Sequence, residues 1–548
     1  SRGLGDVYKR QGFYISKDEE TMKNLKKYIL SLTLAISLVT VNLGPPAFAI
    51  KNDAGSQQSN LEISPSAFSL DSDQLVDNLE IDQAPVNPEF NRQEAKEEAE
   101  KFGLNVDPLK IYTDYGSLNA EVPNRQKASF IPAYYDLRNE GRVTPMRDQG
   151  PNGSCWAFAS YGSAESVLLP RENTDFSEKN LRNTHGYDWG PKDGGTFQVS
   201  AAYLSRWSGP IAERDEPYHP YDFYSPSGLR PVKELEKAMY IPDVRNINDQ
   251  RVLKEAIMDY GAAYTSVNGS EYYTNMYTMG HYNPGDGWAN HAVTIVGWDD
   301  NYSASNFKWG APGNGAWIVK NSWGSYWGSQ GGYYYVSYYD AHIGKNNCIF
   351  VLKNKESNKS IWYHDYLGMT SNIGRGNIGW FSNVFGPANQ NLEISEVGVF
   401  VPTNNVSYEV YVNTNIGGNS GFNNRVKVAS GTLDFAGYQT IKFRPQQIPR
   451  GAYFAPIIKF TTTGYPYPIP VEKPIWGYSS RASASSGQSY ISYDGYNWSD
   501  ITNQMYNTNV CVKAFTKPSG SSYIDEKPIN NDKKVQSITS QDLSLIHI

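Results

Sequence analysis

Cysteine is scarce: the 548 residues hold three, Cys155, Cys348 and Cys511. If one of them does chemistry, a single disulfide is the most that remains, so no disulfide framework holds this fold, and a pairing of Cys348 with Cys511 is not expected. Charge is thin as well, at 19% of residues with a net of −7, which removes any electrostatic reason to expect nucleic acid as a partner. Long apolar runs are missing: the stretch from Tyr28 to Val41 is too short to span a bilayer comfortably, and nothing later comes close. Neither an EF-hand loop nor a His/Cys cluster at metal spacing occurs, and the GxGxxG match at Gly374–Gly379 lacks a strand-turn-helix context. A structural calcium held by scattered loop oxygens in a β-domain would leave no such signature.

What the chain has in quantity is tyrosine and glycine, 41 and 48 residues, with hydrophobic residues at 39%. That balance supplies real cores and favours β-rich, loop-rich architecture. Residues 1–21 and the final LSLIHI look like translated adapter, a non-native leader and end. Lys23, Lys26 and Lys27, the apolar run, and Ala47-Phe48-Ala49 describe a secretory signal peptide over 22–49. The polar stretch 50–128 is expected to be a removable pro-segment, with one helix from Asn87 as N-cap to Gly103. A secreted or cell-surface protein, with no membrane span after signal removal, follows.

The stretch 147–160, RDQGPNGSCWAFAS, organises the rest. Two glycines and a proline make a turn that delivers Cys155 to the start of an apolar run able to form a helix. At a helix N-terminus the dipole favours a thiolate, the nucleophilic form of cysteine. Gln149, six positions upstream, can turn its side-chain amide back toward the Cys155 amide, so that two donors converge as an oxyanion hole. This stretch resembles the active-site segment of papain-like cysteine peptidases, with Asn152 at a position where that signature carries cysteine. The stretch 131–145, IPAYYDLRNEGRVTP, resembles the start of a mature papain-like domain. The resemblance implies a two-lobed α+β peptidase domain over 129–352 that needs no cofactor and no catalytic metal, acting on protein or peptide substrates.

Seven histidines compete for the role of base. His291 stands apart because it opens a strand-like run, NHAVTIVGWDD, that matches the family's histidine segment, 136 residues after Cys155 (291 minus 155). Asn321 in WIVKNSWGSYWG matches the family's orienting asparagine, whose amide oxygen accepts from the imidazole, and Trp323 would shield that hydrogen bond. Between them lies a Gly-rich insertion, NYSASNFKWGAPGNG, expected as an extended hairpin. Gly194 and Gly195 match a segment that pairs with substrate backbone in the family, and with Trp323 complete the expected substrate-binding set.

After a polar linker at 353–360, short β-rich runs such as VGVFV, YEVYV and YFAPIIKF alternate with Gly, Asn and Pro turns. This spacing predicts an all-β sandwich over 361–516, followed by a disordered tail over 517–548. IGWFSNVF, FTTTGYPYPIPVE and GQSYISYDGYNW resemble the lectin-like domain attached to papain-like peptidases on the surface of clostridial bacteria. The reading is a secreted cysteine endopeptidase that processes surface-layer proteins or degrades host matrix proteins. The β-domain is expected to hold a cell-wall glycan or a surface protein. Two rivals stand beside it: an adhesin whose activity lies in the lectin-like domain, and a peptidoglycan-cleaving amidase, which also uses a thiolate.

Overall fold

The computed structural model describes residues 75–76, 79–84, 130–285, 287–417 and 421–520. The signal peptide, the helix expected from Asn87 and most of the tail fall outside them. Two lobes make up the first domain, with a groove between them, and the second is built on two packed sheets with a small four-stranded sheet beside them.

The helical lobe is built on α1 (Cys155–Leu168), α2 (Glu178–Thr184) and α3 (Phe197–Ser205). Helix α1 reads CWAFASYGSAESVL, with small residues on every side, and is buried almost throughout, as a helix apolar all round must be. Small residues let it press against the sheet: a Cβ at Gly162 would lie 2.8 Å from the Thr294 hydroxyl. Helix α2 is capped in the ordinary way, Ser177 Oγ accepting from the Asn180 N–H at 3.1 Å. α1 has no side-chain cap, because the Ser154 hydroxyl is engaged with Tyr218 at 2.7 Å. The Ala157 and Phe158 N–H groups donate to the Ser154 carbonyl, at 2.9 and 3.3 Å, while those of Cys155 and Trp156 have no intrahelical acceptor.

The second lobe is a sheet of β1 (Lys233–Ile241), β2 (Ala263–Val267), β3 (His291–Asp299), β4 (Ala316–Lys320), β5 (Tyr333–Ser337) and β6 (Lys345–Asn354). Strands β3 and β4 are an antiparallel pair with Asp299 opposite Ala316, so the Gly-rich insertion is the end of a hairpin, as its sequence predicts. Its Phe307 is buried and its short 3₁₀ turn, Ala304–Asn306, docks through the Asn306 carbonyl, which accepts from Asn275 at 3.0 Å.

The C-terminal domain packs β7 (Leu392–Val401), β8 (Ala436–Ile448) and β9 (Val512–Pro518) against a six-stranded antiparallel sheet. Val397 and Val399 of β7 meet Phe381, Val410 and Ile458 of the facing sheet in one core. The next residue, Phe400, points the other way, into the core of the helical lobe with Trp156 and Tyr203. Strand alternation thus serves two cores at once.

This sharing extends to the backbone. Strand β8 pairs antiparallel with β1, Ala436 opposite Tyr240 through Gln439 opposite Lys237, and one 13-stranded sheet runs through both domains. Gly437, at φ +111, makes the crossing: a Cβ there would sit 2.0 Å from the Ala238 carbonyl oxygen. The charged stretch 353–360 is held beside this joint. Lys359 Nζ lies 3.0 Å from Glu234 and 2.8 Å from Glu396, Lys353 reaches Glu396 at 2.8 Å, and Lys517 reaches Glu356 at 2.6 Å. Although burial works against the Lys359 charge, the facing carboxylates raise its pKa, and Lys517 and Lys359 hold Glu356 down at about 2. The described part of the 50–128 stretch lies on the β-domain: Asp82–Gln83 pairs with Gly374 and Ile373, and Leu79 and Ile81 pack on its core.

Candidate active site

The groove between the lobes collects the residues that the sequence singles out. Cys155 is the first residue of α1 and His291 the first of β3, and both are buried. The Ala292 N–H donates to Cys155 Sγ at 3.4 Å, which seats the sulfur against the backbone of the residue next to His291. His291 Nε2 and Asn321 Oδ1 are 2.8 Å apart. An amide oxygen can only accept, so Nε2 carries the hydrogen and Nδ1 is left to accept a proton. Trp323 stacks on the imidazole, ring centroids 4.7 Å apart, and covers that hydrogen bond.

Gln149 is pinned at four points. Its N–H donates to the Ser322 carbonyl at 2.8 Å, and its own carbonyl accepts from the Tyr218 hydroxyl at 2.7 Å. Its side-chain oxygen accepts from Ser322 Oγ at 2.6 Å, and Nε2 donates to the Asn152 carbonyl at 2.7 Å. These contacts fix which end of the amide is NH₂ and use one of its two hydrogens, leaving the second as a donor. The Cys155 N–H, at the first position of the helix, has no intrahelical acceptor.

Ser322 is the residue that the sequence reading passes over. It lies inside the quoted NSWG segment, and a hydroxyl next to the orienting asparagine is the signal that would have found it. Asn152 contributes its carbonyl to Gln149, while its side chain donates to the Pro220 carbonyl and anchors the loop.

Gly194 and Gly195 sit beside this loop. A Cβ on Gly195 would fall 2.4 Å from the Trp156 ring, and one on Gly153 would lie 3.0 Å from the Gly194 nitrogen. The bare backbone there is a packing requirement.

Behind the groove, Asn321 and Ser322 line a cavity with Arg147, Glu165, Glu178 and Lys320. Arg147 lies 3.7 Å from Glu165 and 3.5 Å from Glu178, and Lys320 Nζ donates to Thr144 Oγ1 at 3.0 Å. Burial pushes Lys320 down to about 8 and raises both glutamates, though Arg147 counters the rise. The cluster spans the two lobes at Lys320, next to Asn321, and at Arg147, two residues before Gln149.

Burial also governs the reacting pair, pushing the Cys155 thiol up to about 11 and, against the Asn321 hydrogen bond, His291 down to about 4. Each isolated charge is disfavoured in the dry groove. A proton passed from sulfur to imidazole creates no net charge, so the pair can form the ions together where neither would form alone.

Comparison with known proteins agrees with this geometry. Mouse (Mus musculus) cathepsin J is 30% identical over 254 residues, 45% of this chain and 72% of that protein. The chain belongs to the papain family of cysteine proteases. The profile of that family, "Papain family cysteine protease", matches residues 131–351, and "Lectin like domain" matches 361–516. A viral cathepsin of Heliothis zea nuclear polyhedrosis virus is 32% identical over 37% of this chain and 51% of its own. The chain spans 51%, 62% and 65% of the first three curated relatives it matches.

Among solved structures, the cysteine protease and lectin-like domains of Cwp84, a surface layer associated protein of Clostridium difficile, superpose with a TM-score of 0.68 at 26% identity. That match covers 80% of this chain and 98% of Cwp84's. The same clostridial protease after propeptide cleavage gives 0.63 at 27% identity, covering 70% and 99%. The papain-family part of the chain is thus a cysteine peptidase domain joined to a lectin-like one. Among the described residues no helix is long and apolar enough to cross a membrane.

Proposed function

We propose that the protein is a secreted cysteine endopeptidase that cleaves surface-layer or other envelope proteins, or host matrix proteins. The observation that carries this reading is the set Cys155–Ala292, His291–Asn321 and Trp323 over the ring, gathered at one helix N-terminus. Cys155 Sγ attacks the scissile carbonyl carbon as its proton passes to His291. The oxygen, now negative, is held by the free hydrogen of Gln149 Nε2 and by the Cys155 N–H. The C–N bond breaks as His291 gives its proton to the leaving amine, and a thioester remains. Water, deprotonated by His291, then releases the acid product and restores the thiol. Asn321 keeps the ring in the productive tautomer throughout, and no cofactor takes part.

Secretion is supported by the basic, apolar and A-x-A pattern over 22–49, and surface substrates by the likeness to a surface layer associated protein. Incubation with an irreversible thiol-directed epoxide, followed by mass mapping and assay on a protein substrate, tests the reading. Stoichiometric labelling of Cys155 with loss of proteolysis is expected. An unlabelled Cys155 in processed protein that still binds glycan or cell surface would favour an adhesin, and cleavage of purified sacculi but not protein would favour an amidase.

A further inference from the structure

The insertion between His291 and Asn321 builds a surface that the catalytic groups do not use. Its Lys308 and Trp309 follow the buried Phe307 and stand out beside Tyr272, with Trp309 51% and Tyr272 63% exposed. The two rings are 5.0 Å apart, Tyr273 meets Trp309 at 5.9 Å, and Lys308 Nζ lies 4.7 Å from the Tyr272 ring and 4.9 Å from that of Trp309. Lys308 also donates to the Tyr272 carbonyl at 2.9 Å, so the insertion is tied to the 270s segment by its own cation. Among the described residues no carboxylate forms an ion pair with Lys308.

This surface is continuous with the groove. Trp323, stacked on His291, meets Trp327 edge-on at 5.1 Å, and Trp327 Nε1 donates at 2.7 Å to Glu271, the residue before Tyr272. The same segment starts at the catalytic ring: a Cβ on Gly269 would lie 2.9 Å from His291 Cβ. His291 is the group that hands a proton to the departing amine. The part of a substrate lying over His291 and Trp323 is therefore the part C-terminal to the cleaved bond.

We infer that Tyr272, Trp309 and Lys308 form a specificity platform for the leaving-side segment of a polypeptide substrate, taking a planar aromatic side chain followed by an acidic one. The ring stacks on Tyr272 and Trp309, and the carboxylate meets Lys308. The path from His291 runs over Trp323, 4.7 Å away, and Trp327, 5.1 Å further, to Glu271 and Tyr272, a reach that an extended chain at about 3.3 Å per residue covers in roughly four or five residues. The inference rests on the peptidase reading above.

Two quenched substrates with the same sequence before the scissile bond separate the possibilities. One carries a small coumarin amide leaving group; the other continues for ten residues with a Trp-Glu pair at the fourth and fifth positions. Replacing Tyr272 and Trp309 together by Ala is expected to lower kcat/KM on the long substrate by about 3- to 10-fold, chiefly through KM, and to leave the coumarin amide unchanged. Lys308→Glu is expected to shift preference at the fifth position from Glu to Lys. Equal loss on both substrates would mark a structural role, and no loss on the long one would remove the platform; either overturns the inference. So would inhibition by N-acetylglucosamine tetramer that the double substitution abolishes with no dependence on peptide sequence, since the platform would then be a sugar site. Absence of cleavage of both substrates by the unsubstituted enzyme would instead refute the peptidase reading itself.

Discussion

Two seams run through this molecule, and they are closed in different ways. Between the lobes of the peptidase domain, the catalytic seam is stitched by neutral hydrogen bonds, from Ser322 Oγ to Gln149, from the Gln149 N–H to the Ser322 carbonyl and from the Ala292 N–H to Cys155 Sγ, with His291 and Asn321 paired on the second lobe's side of it. Between the peptidase and the lectin-like domain, the joint has a backbone ladder, a shared apolar core and a buried cluster of lysines and glutamates. A site with the proposed task of admitting a peptide and stabilising a transient oxyanion keeps some donors unspent. A joint that only has to hold can use every group it has. Charge is placed accordingly, since among the described residues none is in direct contact with Sγ or the imidazole, while the Arg147 cluster lies behind the groove.

The comparison predicts four separable outcomes. Cys155→Ala should abolish proteolysis, on the order of 10⁴-fold or more, while the denaturation midpoint stays close to that of the parent, because the thiol adds only the one long N–H···S contact, 3.4 Å, to its seam. Lys359→Met should do the reverse, costing about 3 kcal/mol in urea unfolding by leaving the buried Glu234 and Glu396 to share Lys353. Below the unfolding transition its kcat should match the parent; a tenfold fall in kcat without loss of stability would mean the two seams are coupled. Gln149→Ala should reduce kcat by about 10²- to 10³-fold with KM little changed, as expected for a donor used in the transition state. Asn321→Ala should cost roughly 10²-fold, the smallest of the three catalytic losses, since water can replace an orienting amide in part. An Asn321 variant that also shifts the pH profile would show that the ring's tautomer is what the amide sets.

The residues proposed to carry the chemistry are legible in the amino-acid sequence through local pattern. Cys155 and Gln149 share one turn, His291 opens a strand, and Asn321 with Trp323 sits in a Trp-rich turn, so each can be recognised within a dozen residues. The joint is not legible in this way. Ala436 pairs with Tyr240 across nearly two hundred positions, and apolar alternation identifies a strand but not its neighbour. Composition makes 353–360 a polar linker because paired and solvated lysines read alike; only the approach of Glu234 and Glu396 tells them apart. The Gly-rich insertion reads correctly as a hairpin, yet nothing in its sequence says that Trp309 meets Tyr272.

The pH dependence of alkylation at Cys155 tests the central claim most directly. With a neutral reagent such as iodoacetamide, the parent is expected to react at a rate that rises through about pH 4 and then holds, because burial keeps His291 free to take the thiol proton down to about that pH. In His291→Ala the plateau should vanish, leaving a single rise at alkaline pH, where burial places the thiol at about 11. Superimposable curves for the two proteins would mean that sulfur and imidazole do not share a proton, and would contradict the account.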